Sequence, residues 1–187
     1  MRIFGCDAKT IRMIAVFLTL CAIITIAALY HHSWLGRVPP IPLRVTTRRA
    51  LIALIPPGNG PIYELGCGFG FLAINLARTF PARPIVAIEY SPLPFAVAWL
   101  WARVGGYKNL RVWRGDFLAT PIPAGAVCTS YLYPALMPPL RDHLRAQMGP
   151  ITLLNVNFPI PDMHPTHSIT VPRRDTPMPD EILVYGF

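Results

Sequence analysis

Cysteine is scarce in this sequence, and its four copies are not spaced as pairs. They stand at positions 6, 21, 67 and 128 of a chain of 187 residues. This spacing fits neither a disulfide framework nor a zinc site, which need closely paired cysteines or histidines. His164 and His167, with Asp162 nearby in a proline-rich loop, are too thin a ligand set to suggest a metal. We therefore expect no metal and a reducing compartment.

Acidic residues are also few. There are nine, against 17 lysines and arginines, which gives a formal net charge of +8. A balance of this kind indicates either nucleic acid or an anionic membrane surface as partner. Nucleic-acid binding would favour aromatic and basic residues interleaved along one stripe, and no such stripe is visible in the sequence. Much of the arginine stands near an apolar segment, so we expect lipid headgroups and not nucleic acid.

A glycine-rich segment is the most informative feature that is present. Residues 61–70 read Pro-Ile-Tyr-Glu-Leu-Gly-Cys-Gly-Phe-Gly and lead into an apolar stretch at 71–78. This order predicts a strand, a tight loop and a helix N-terminus, which can hold a nucleoside-bearing cofactor against bare backbone. Glycine allows both positive φ and the close approach of a ligand.

The spacing of the glycines selects the cofactor. A nicotinamide or flavin loop has the pattern G-x-G-x-x-G, but the bulky Phe71 stands three residues after Gly68. Gly66, Gly68 and Gly70 instead form G-x-G-x-G behind Glu64, the pattern of class I methyltransferases. We therefore expect S-adenosylmethionine (SAM), and a nicotinamide-dependent reductase is disfavoured. A simple strand-to-helix turn would need neither the third glycine nor the carboxylate.

The remaining sequence alternates between strand and helix patterns and contains no internal repeat. We expect strands at 62–65, 85–89, 110–114, 126–132 and 151–156, and helices at about 46–55, 70–79, 92–104 and 135–147. Segments 167–171 and 182–187 are placed to pair as a hairpin. The predicted fold is α/β and Rossmann-like, as in class I methyltransferases: a seven-stranded, mostly parallel sheet with an antiparallel C-terminal hairpin.

In such a sheet ligands bind beyond the carboxyl ends of the strands, so the residues that close each strand are the candidates for cofactor binding. Glu89 can accept hydrogen bonds from both ribose hydroxyls. Asp116 can accept from the adenine amino group, and Phe117 can line the face of the ring. Glu64 would face the amino group or the sulfonium of the cofactor, or would cap the glycine turn.

Tyr131, Tyr133 and Pro134 end the fourth strand, where class I methyltransferases present the acceptor. Aromatic faces attract cations, here the sulfonium and an incoming ammonium. We expect one of the two tyrosine rings to reach the acceptor, without a basis for choosing between them. The alternative is that both are ordinary strand residues with one ring in the core.

An uncharged apolar run covers residues 13–30 and is just long enough to cross a hydrocarbon core of roughly 30 Å. We predict an uncleaved transmembrane helix there, after a short tail at 1–12 and before a proline-rich linker at 31–44 and the catalytic domain at 45–187. A cleaved signal peptide is the alternative, but no clear A-x-A site follows. Because SAM is cytosolic, we expect a single-pass protein whose catalytic domain faces the cytoplasm or an equivalent SAM-containing compartment.

Several segments taken in order resemble one family. They are the amino-terminal apolar run, the proline-rich entry, Glu-Leu-Gly-Cys-Gly-Phe-Gly at 64–70, Ala-Ile-Glu at 87–89, Gly-Asp at 115–116, Tyr-Leu-Tyr-Pro-Ala-Leu-Met at 131–137 and Asn-Phe-Pro-Ile-Pro at 157–161. The chain resembles the membrane-anchored lysine methyltransferases of the ATP synthase c-subunit and adenine nucleotide translocase type, and their prokaryotic relatives. The resemblance implies N-methylation of a lysine in an integral membrane protein.

The chain departs from that family at two places. Family members usually place an aspartate in the glycine loop, where this chain has Phe69, and an acidic residue before the fourth strand, where it has Gly125 and Ala126. Two other functions stay open. One is methylation of a lipid or a small amphiphile, and the other is a catalytically degenerate SAM-binding domain that acts as an assembly factor.

Overall fold

The computed structural model describes residues 12–20, 23, 41–173 and 176–187. The chain divides into two compact units, Met1–Pro39 and Pro40–Phe187. In the first unit, residues 12–20 and residue 23 are helical. The second unit contains the sheet, and all the element labels below belong to it.

The transmembrane helix predicted over residues 13–30 has to be corrected. Within the described residues, no helix is long and apolar enough to cross a membrane. The predicted spanning helix and the single-pass localisation are therefore wrong. Residues 21–22 and 24–30 of the predicted segment lie outside the described residues.

The second unit is built on a seven-stranded sheet of order β3-β2-β1-β4-β5-β7-β6. Its strands are β1 (Ile62–Leu65), β2 (Ile85–Glu89), β3 (Leu110–Arg114), β4 (Val127–Ser130), β5 (Thr152–Val156), β6 (His167–Val171) and β7 (Asp180–Gly186). Strands β1 to β5 pair in parallel, and β7 runs antiparallel to both β5 and β6. The predicted Rossmann-like sheet with an antiparallel carboxyl-terminal hairpin is confirmed.

Four helices accompany the sheet: α1 (Val45–Ala53), α2 (Phe71–Thr79), α3 (Pro92–Val104) and α4 (Met137–Arg145). The region from 131 to 137 differs from the sequence-based expectation. Strand β4 ends at Ser130, and a 3₁₀ turn at Pro134–Leu136 precedes α4. Proline lacks the backbone N–H that a strand or helix interior uses, and it disfavours the helical conformation of the residue before it. The segment 131–133 is therefore left as irregular backbone.

The two faces of the sheet carry separate apolar layers, because successive side chains of a strand point to opposite faces. On one face, Leu51 of α1 and Leu76 of α2 pack with Ile62 and Ile85 of the strands, and α3 joins through Ala98. On the other face, α4 is the only α-helix of the described region to contribute, and it does so through side chains that include Leu140.

We expect Leu140→Ala to lower the free energy of unfolding by about 2–5 kcal/mol, because it removes a fully buried side chain and leaves a cavity. Urea unfolding of the wild type and the variant measures the change. Met148→Ala, at a side chain that is 89% exposed, is the matched control and should change stability by less than about 0.5 kcal/mol. Equal losses in the two variants would contradict the assigned core.

Candidate functional site

A crevice opens where the order of the sheet reverses. Strand β1 has β2 on one side and β4 on the other, so the loops that follow β1 and β4 leave the sheet in opposite directions. In open α/β sheets this switch point at the carboxyl ends of the strands is the usual ligand site. The glycine loop follows β1 here, and the Tyr131–Pro134 segment follows β4.

The glycine loop has the backbone conformation that its sequence predicts. Gly66, Gly68 and Gly70 all have positive φ, at 77°, 55° and 80°. A Cβ at Gly66 would lie 2.7 Å from Cδ2 of Leu132, and one at Gly70 would lie 2.9 Å from Cβ of Ala98. At Gly66 the neighbouring atom is the end of a leucine side chain that can shift, so the positive φ is what favours glycine there. At Gly70 the neighbours are Cβ and Cα of Ala98, so conformation and space both favour glycine.

Glu89 ties the glycine loop to the second strand. Its Oε2 accepts a hydrogen bond from the backbone N–H of Gly68 at 2.8 Å, and its Oε1 accepts one from the N–H of Ser91 at 2.8 Å. The residue is buried. Each carboxylate oxygen has a further lone pair, so this arrangement leaves acceptor capacity for ribose hydroxyls. That role stays a prediction.

Glu64 is a buried carboxyl group whose hydrogen bonding is incomplete. Its Oε2 has no hydrogen-bond partner among the described residues. Its pKa is raised to about 8, chiefly by burial and also by the nearby Glu89, against the opposing effects of the Ala73 N–H and of Arg48. A buried carboxyl with a free oxygen fits a cationic ligand group, because such a group would supply the missing partner and favour ionisation.

Cys67 lies inside the same loop and stays a neutral thiol. Burial raises its pKa well above the ordinary value, and the charges of Glu64 and Glu89 raise it further. Because the thiolate is the nucleophilic form of cysteine, this side chain is packing material, and it belongs to the small cluster with Ala73, Ala87 and Ala98.

Asp116 and Phe117 follow the third strand as predicted, but they have different surroundings. Asp116 accepts a hydrogen bond from the N–H of Leu118 at 3.0 Å through Oδ1 and so starts a short 3₁₀ turn. Phe117 is only 5% exposed and packs into the core beside Leu140. A contact of Asp116 with an adenine amino group would use Oδ2. That contact and the lining role of Phe117 both stay predictions.

The acceptor segment lies directly against the glycine loop. Leu132 reaches Gly66 and the α4 side of the core, whereas Tyr131 packs toward the opposite apolar layer. Tyr131 and Tyr133 are both partly buried, and Pro134 is exposed. The structure therefore brings the predicted acceptor segment and the predicted cofactor loop together. Of the two candidate tyrosines, Tyr131 and Tyr133, only Tyr133 belongs to neither apolar cluster.

Asn155 is a positioning residue that the sequence analysis missed. It is fully buried in β5, and its Oδ1 accepts a hydrogen bond from the Ser130 hydroxyl at 2.6 Å. Its Nδ2 donates to the backbone oxygen of Phe158 and approaches Sδ of Met137 at 3.2 Å. One amide thus joins the end of β4, the start of α4 and the 157–161 loop. An asparagine in the otherwise apolar strand Thr-Leu-Leu-Asn-Val was the available signal.

Asp180 forms a second buried polar junction. It accepts hydrogen bonds from the Thr47 hydroxyl of α1 and, at 3.1 Å, from Nδ2 of Asn157. Arg173 lies 3.5 Å from its Oδ1. Asn157 has a positive φ of 70°, and its Oδ1 accepts from the N–H of Glu181 at 2.8 Å. These contacts fix the loop after β5 beside the amino-terminal turn of α1.

The two departures from the family pattern lie at different ends of the sheet. Phe69 is within the glycine loop. Gly125 and Ala126 precede β4, so they lie at its amino end, about 13 Å along the strand from the crevice. Gly125 has a φ of 77°, a conformation that suits glycine. Only the first departure can therefore touch a ligand in the crevice.

Metal binding finds no support in the region that the structure describes, since no group of three or more His, Cys, Asp or Glu side chains is arranged to hold an ion there. His164 and His167 are exposed.

Comparison with known protein families finds a match that covers more than half of the chain. A family model described as the ANTKMT methyltransferase domain matches residues 64–167. No curated protein sequence matches the chain.

Solved structures share the fold. An RNA methyltransferase from Salinibacter ruber, in complex with S-adenosyl-L-homocysteine (SAH), is 23% identical and superposes with a TM-score of 0.66 over 78% of this chain and 93% of its own. TrmK from M. capricolum, also with SAH, has a TM-score of 0.58 at 12% identity, over 76% of this chain and 67% of that one. A dimethyladenosine transferase from Plasmodium falciparum is 19% identical and has a TM-score of 0.54, over 75% of this chain and 60% of its own.

We expect Glu64→Gln to change how stability depends on pH in the ligand-free protein. The folded-state pKa of Glu64 is raised from 4.5 to about 8, so between these values the folded state holds a proton that the unfolded state has lost. The free energy of unfolding of the wild type should therefore fall as pH rises through this window. The variant should lack this pH-dependent contribution. Its free energy of unfolding, compared with that of the wild type, should therefore be most favourable at about pH 9.

Urea unfolding of both proteins at about pH 5 and about pH 9 measures this difference. Glu181→Gln, at an exposed carboxylate, serves as the control and should keep the wild-type slope. A Glu64→Gln variant whose stability follows the same pH dependence as the wild type would refute the assignment.

Proposed function

We propose, from the premise that the chain belongs to the ANTKMT methyltransferase domain family, that it methylates the side-chain nitrogen of a protein lysine. The coarser activity follows from the family and the fold together: the chain is a SAM-dependent methyltransferase. The lysine acceptor is supported by the family match and by the resemblance of the 131–137 and 157–161 segments. That resemblance also makes an integral membrane protein the proposed substrate.

The contact between Leu132 and Gly66 is the observation that carries the proposal. It supports the proposal because Tyr133, which belongs to neither apolar cluster, directly follows the residue that contacts the loop where the cofactor is proposed to bind. When bound, SAM supplies a methyl group on a cationic sulfur. An acceptor segment held against the glycine loop would position the amine for this transfer, and positioning of this kind accounts for much of the acceleration of such reactions.

The residues of this chain have separate tasks toward the cofactor. The backbone of the glycine loop admits it closely, and Glu89 offers acceptors to the ribose. The free Oε2 of Glu64 is the partner for its ammonium group. Oδ2 of Asp116 would accept from the adenine amino group.

The acceptor lysine must be neutral to attack, although its ordinary pKa is about 10.4. Partial desolvation between tyrosine rings lowers the pKa of an amine. Residues 125–137 contain no acidic side chain, so nothing in that segment holds the ammonium form. Deprotonation then needs solvent access and no dedicated general base.

We expect the full chain to bind SAM and SAH, and Glu89→Gln to weaken binding about tenfold or more, because charge-assisted acceptors are worth about 1.5–3 kcal/mol. Isothermal titration calorimetry measures the affinity. Glu181→Gln is the matched control, since it replaces a carboxylate with the same amide outside the crevice. Failure of a folded wild type to bind either ligand would favour the degenerate, non-enzymatic alternative.

The acceptor is tested by transfer of radiolabelled methyl groups to fractionated cell extract, followed by mass spectrometry of lysines. We expect Tyr133→Ala to reduce kcat/KM by about tenfold or more while SAH affinity stays at the wild-type value, because the lost ring contacts only the acceptor. Tyr107→Ala, at a ring that stacks with Arg78 away from the crevice, should retain activity.

The fraction that takes up label separates the alternatives. Label that resists ribonuclease and is released by protease supports a protein acceptor. Label in extracted lipid supports the lipid or amphiphile alternative, and label lost to ribonuclease would contradict the lysine proposal.

A further inference from the structure

Helix α3 is apolar on two opposite faces. Its inner face buries Pro94, Ala98 and Ala102 in the fold. Its outer face presents Ala96, Trp99, Leu100 and Val104 to solvent; we call these four residues the outer α3 face. Spacings of three and four residues place them on one side of the helix.

The exposure of this face is unusual for a helix on a protein surface. Trp99 is 41% exposed, Leu100 is 53% and Val104 is 81%. A surface helix usually carries charged or polar residues on its outward side. Between Pro92 and Val104, Arg103 is the only charged residue. Contiguous apolar surface of this kind marks a site of interaction with a partner.

The charge around the face is of one sign. Residues 90–115 contain Arg103, Lys108, Arg111 and Arg114 and no aspartate or glutamate. All four cationic side chains are exposed. The complementary partner is therefore anionic and offers apolar material at the same place.

Two of the three tryptophans between residues 90 and 115 lie against arginines, and the third, Trp101, packs edge-on against Phe71. The guanidinium of Arg103 lies 4.9 Å from the centroid of the Trp99 ring, and that of Arg111 lies 5.4 Å from the centroid of Trp113. The rings of Trp99 and Trp113 therefore each have one face occupied by a cation of the same chain, which leaves one face of each for base stacking. The aliphatic carbons of Leu100 and Val104 would add nothing to contacts with phosphates or bases, so nucleic acid would leave this apolar part of the face unused.

A second copy of the chain fits the face poorly as well. Joining two outer α3 faces would bring four exposed cations of each copy together without an acidic residue from either segment. Like charges at an interface are unfavourable. An anionic lipid surface meets both requirements, since its headgroups neutralise the cations and its acyl region accepts the apolar side chains.

We infer that the outer α3 face docks onto the surface of an anionic lipid bilayer. The helix lies in the plane of the interface, with Trp99, Leu100 and Val104 inserted at the boundary between headgroups and acyl chains. Arg103 and Lys108 lie at the level of the headgroups, and tryptophan is a residue that favours this depth. This docking involves no residue of the crevice and does not rest on the identity of the methyl acceptor.

Sedimentation of the full chain with vesicles tests the docking. Vesicles of phosphatidylcholine mixed with phosphatidylserine should bind the protein, and vesicles of phosphatidylcholine alone should bind it more weakly. The double substitution Leu100→Gln with Val104→Gln should lower the partition coefficient by about tenfold or more, because two apolar side chains no longer insert. Arg103→Gln should lower it by about fivefold on the anionic vesicles.

Matched controls distinguish docking through this face from non-specific hydrophobic binding to vesicles. Met148 and Met178 are 89% and 73% exposed, so Met148→Gln with Met178→Gln removes two exposed apolar side chains elsewhere on the second unit. This control should bind vesicles like the wild type. Every variant keeps residues 1–39, so any contribution of that unit to binding is the same in all of them.

A depth measurement gives a second, site-specific readout. A variant that carries Trp34→Phe, Trp101→Phe and Trp113→Phe together retains Trp99 as its only tryptophan. Anionic vesicles whose lipids are brominated on their acyl chains should quench the fluorescence of this residue. Absence of quenching, or equal binding by the wild type and the Leu100→Gln, Val104→Gln protein, would overturn the inference. A loss of affinity for single-stranded RNA in that double variant, with vesicle binding unchanged, would overturn it in favour of nucleic acid.

Discussion

The carboxylate of Glu89 organises the crevice before any ligand enters it. By accepting from Gly68 on one side and from Ser91 on the other, it joins the glycine loop to the start of α3. The N–H groups of Gly66 and Cys67 both bond to the backbone oxygen of Ile88, so the loop is held by the second strand along its length. Buried backbone amides that lack partners are costly, which makes this carboxylate structural as well as a candidate ligand. Any substitution of it acts on loop geometry and on binding together.

The sheet and the cofactor side of the crevice could be predicted because their signals are local. Alternating strand and helix patterns fix the parallel order, and the positive φ at three glycines follows from a motif of ten residues. The polar junctions on the acceptor side could not be predicted in this way. Thr47 and Asp180 are 133 positions apart, and Asn155 acquires its meaning only when β4 and β5 lie side by side. Contacts of this kind depend on tertiary pairing, which a single sequence does not reveal.

The amino-terminal apolar run shows the limit of arguing from composition. Eighteen uncharged residues satisfied the length criterion, but no helix among the described residues is long and apolar enough to cross a membrane. Phe117 shows a related limit, since its place after β3 suggested a ligand contact, which stays a prediction, but did not reveal that its ring is buried in the core. The burial of an aromatic ring depends on what packs over it, and here that includes α4.

The close approach of Gly70 to Ala98 restricts how this chain can vary. A side chain at position 70 would meet Cβ and Cα of Ala98 at 2.9 and 3.2 Å, and a side chain larger than alanine at position 98 would press on the loop from the other direction. Neither position can accept a larger residue alone unless the helix shifts. The residues allowed at positions 70 and 98 therefore depend on each other. This close approach thus links the choice of residue in the glycine loop to a residue 28 positions away on a separate helix.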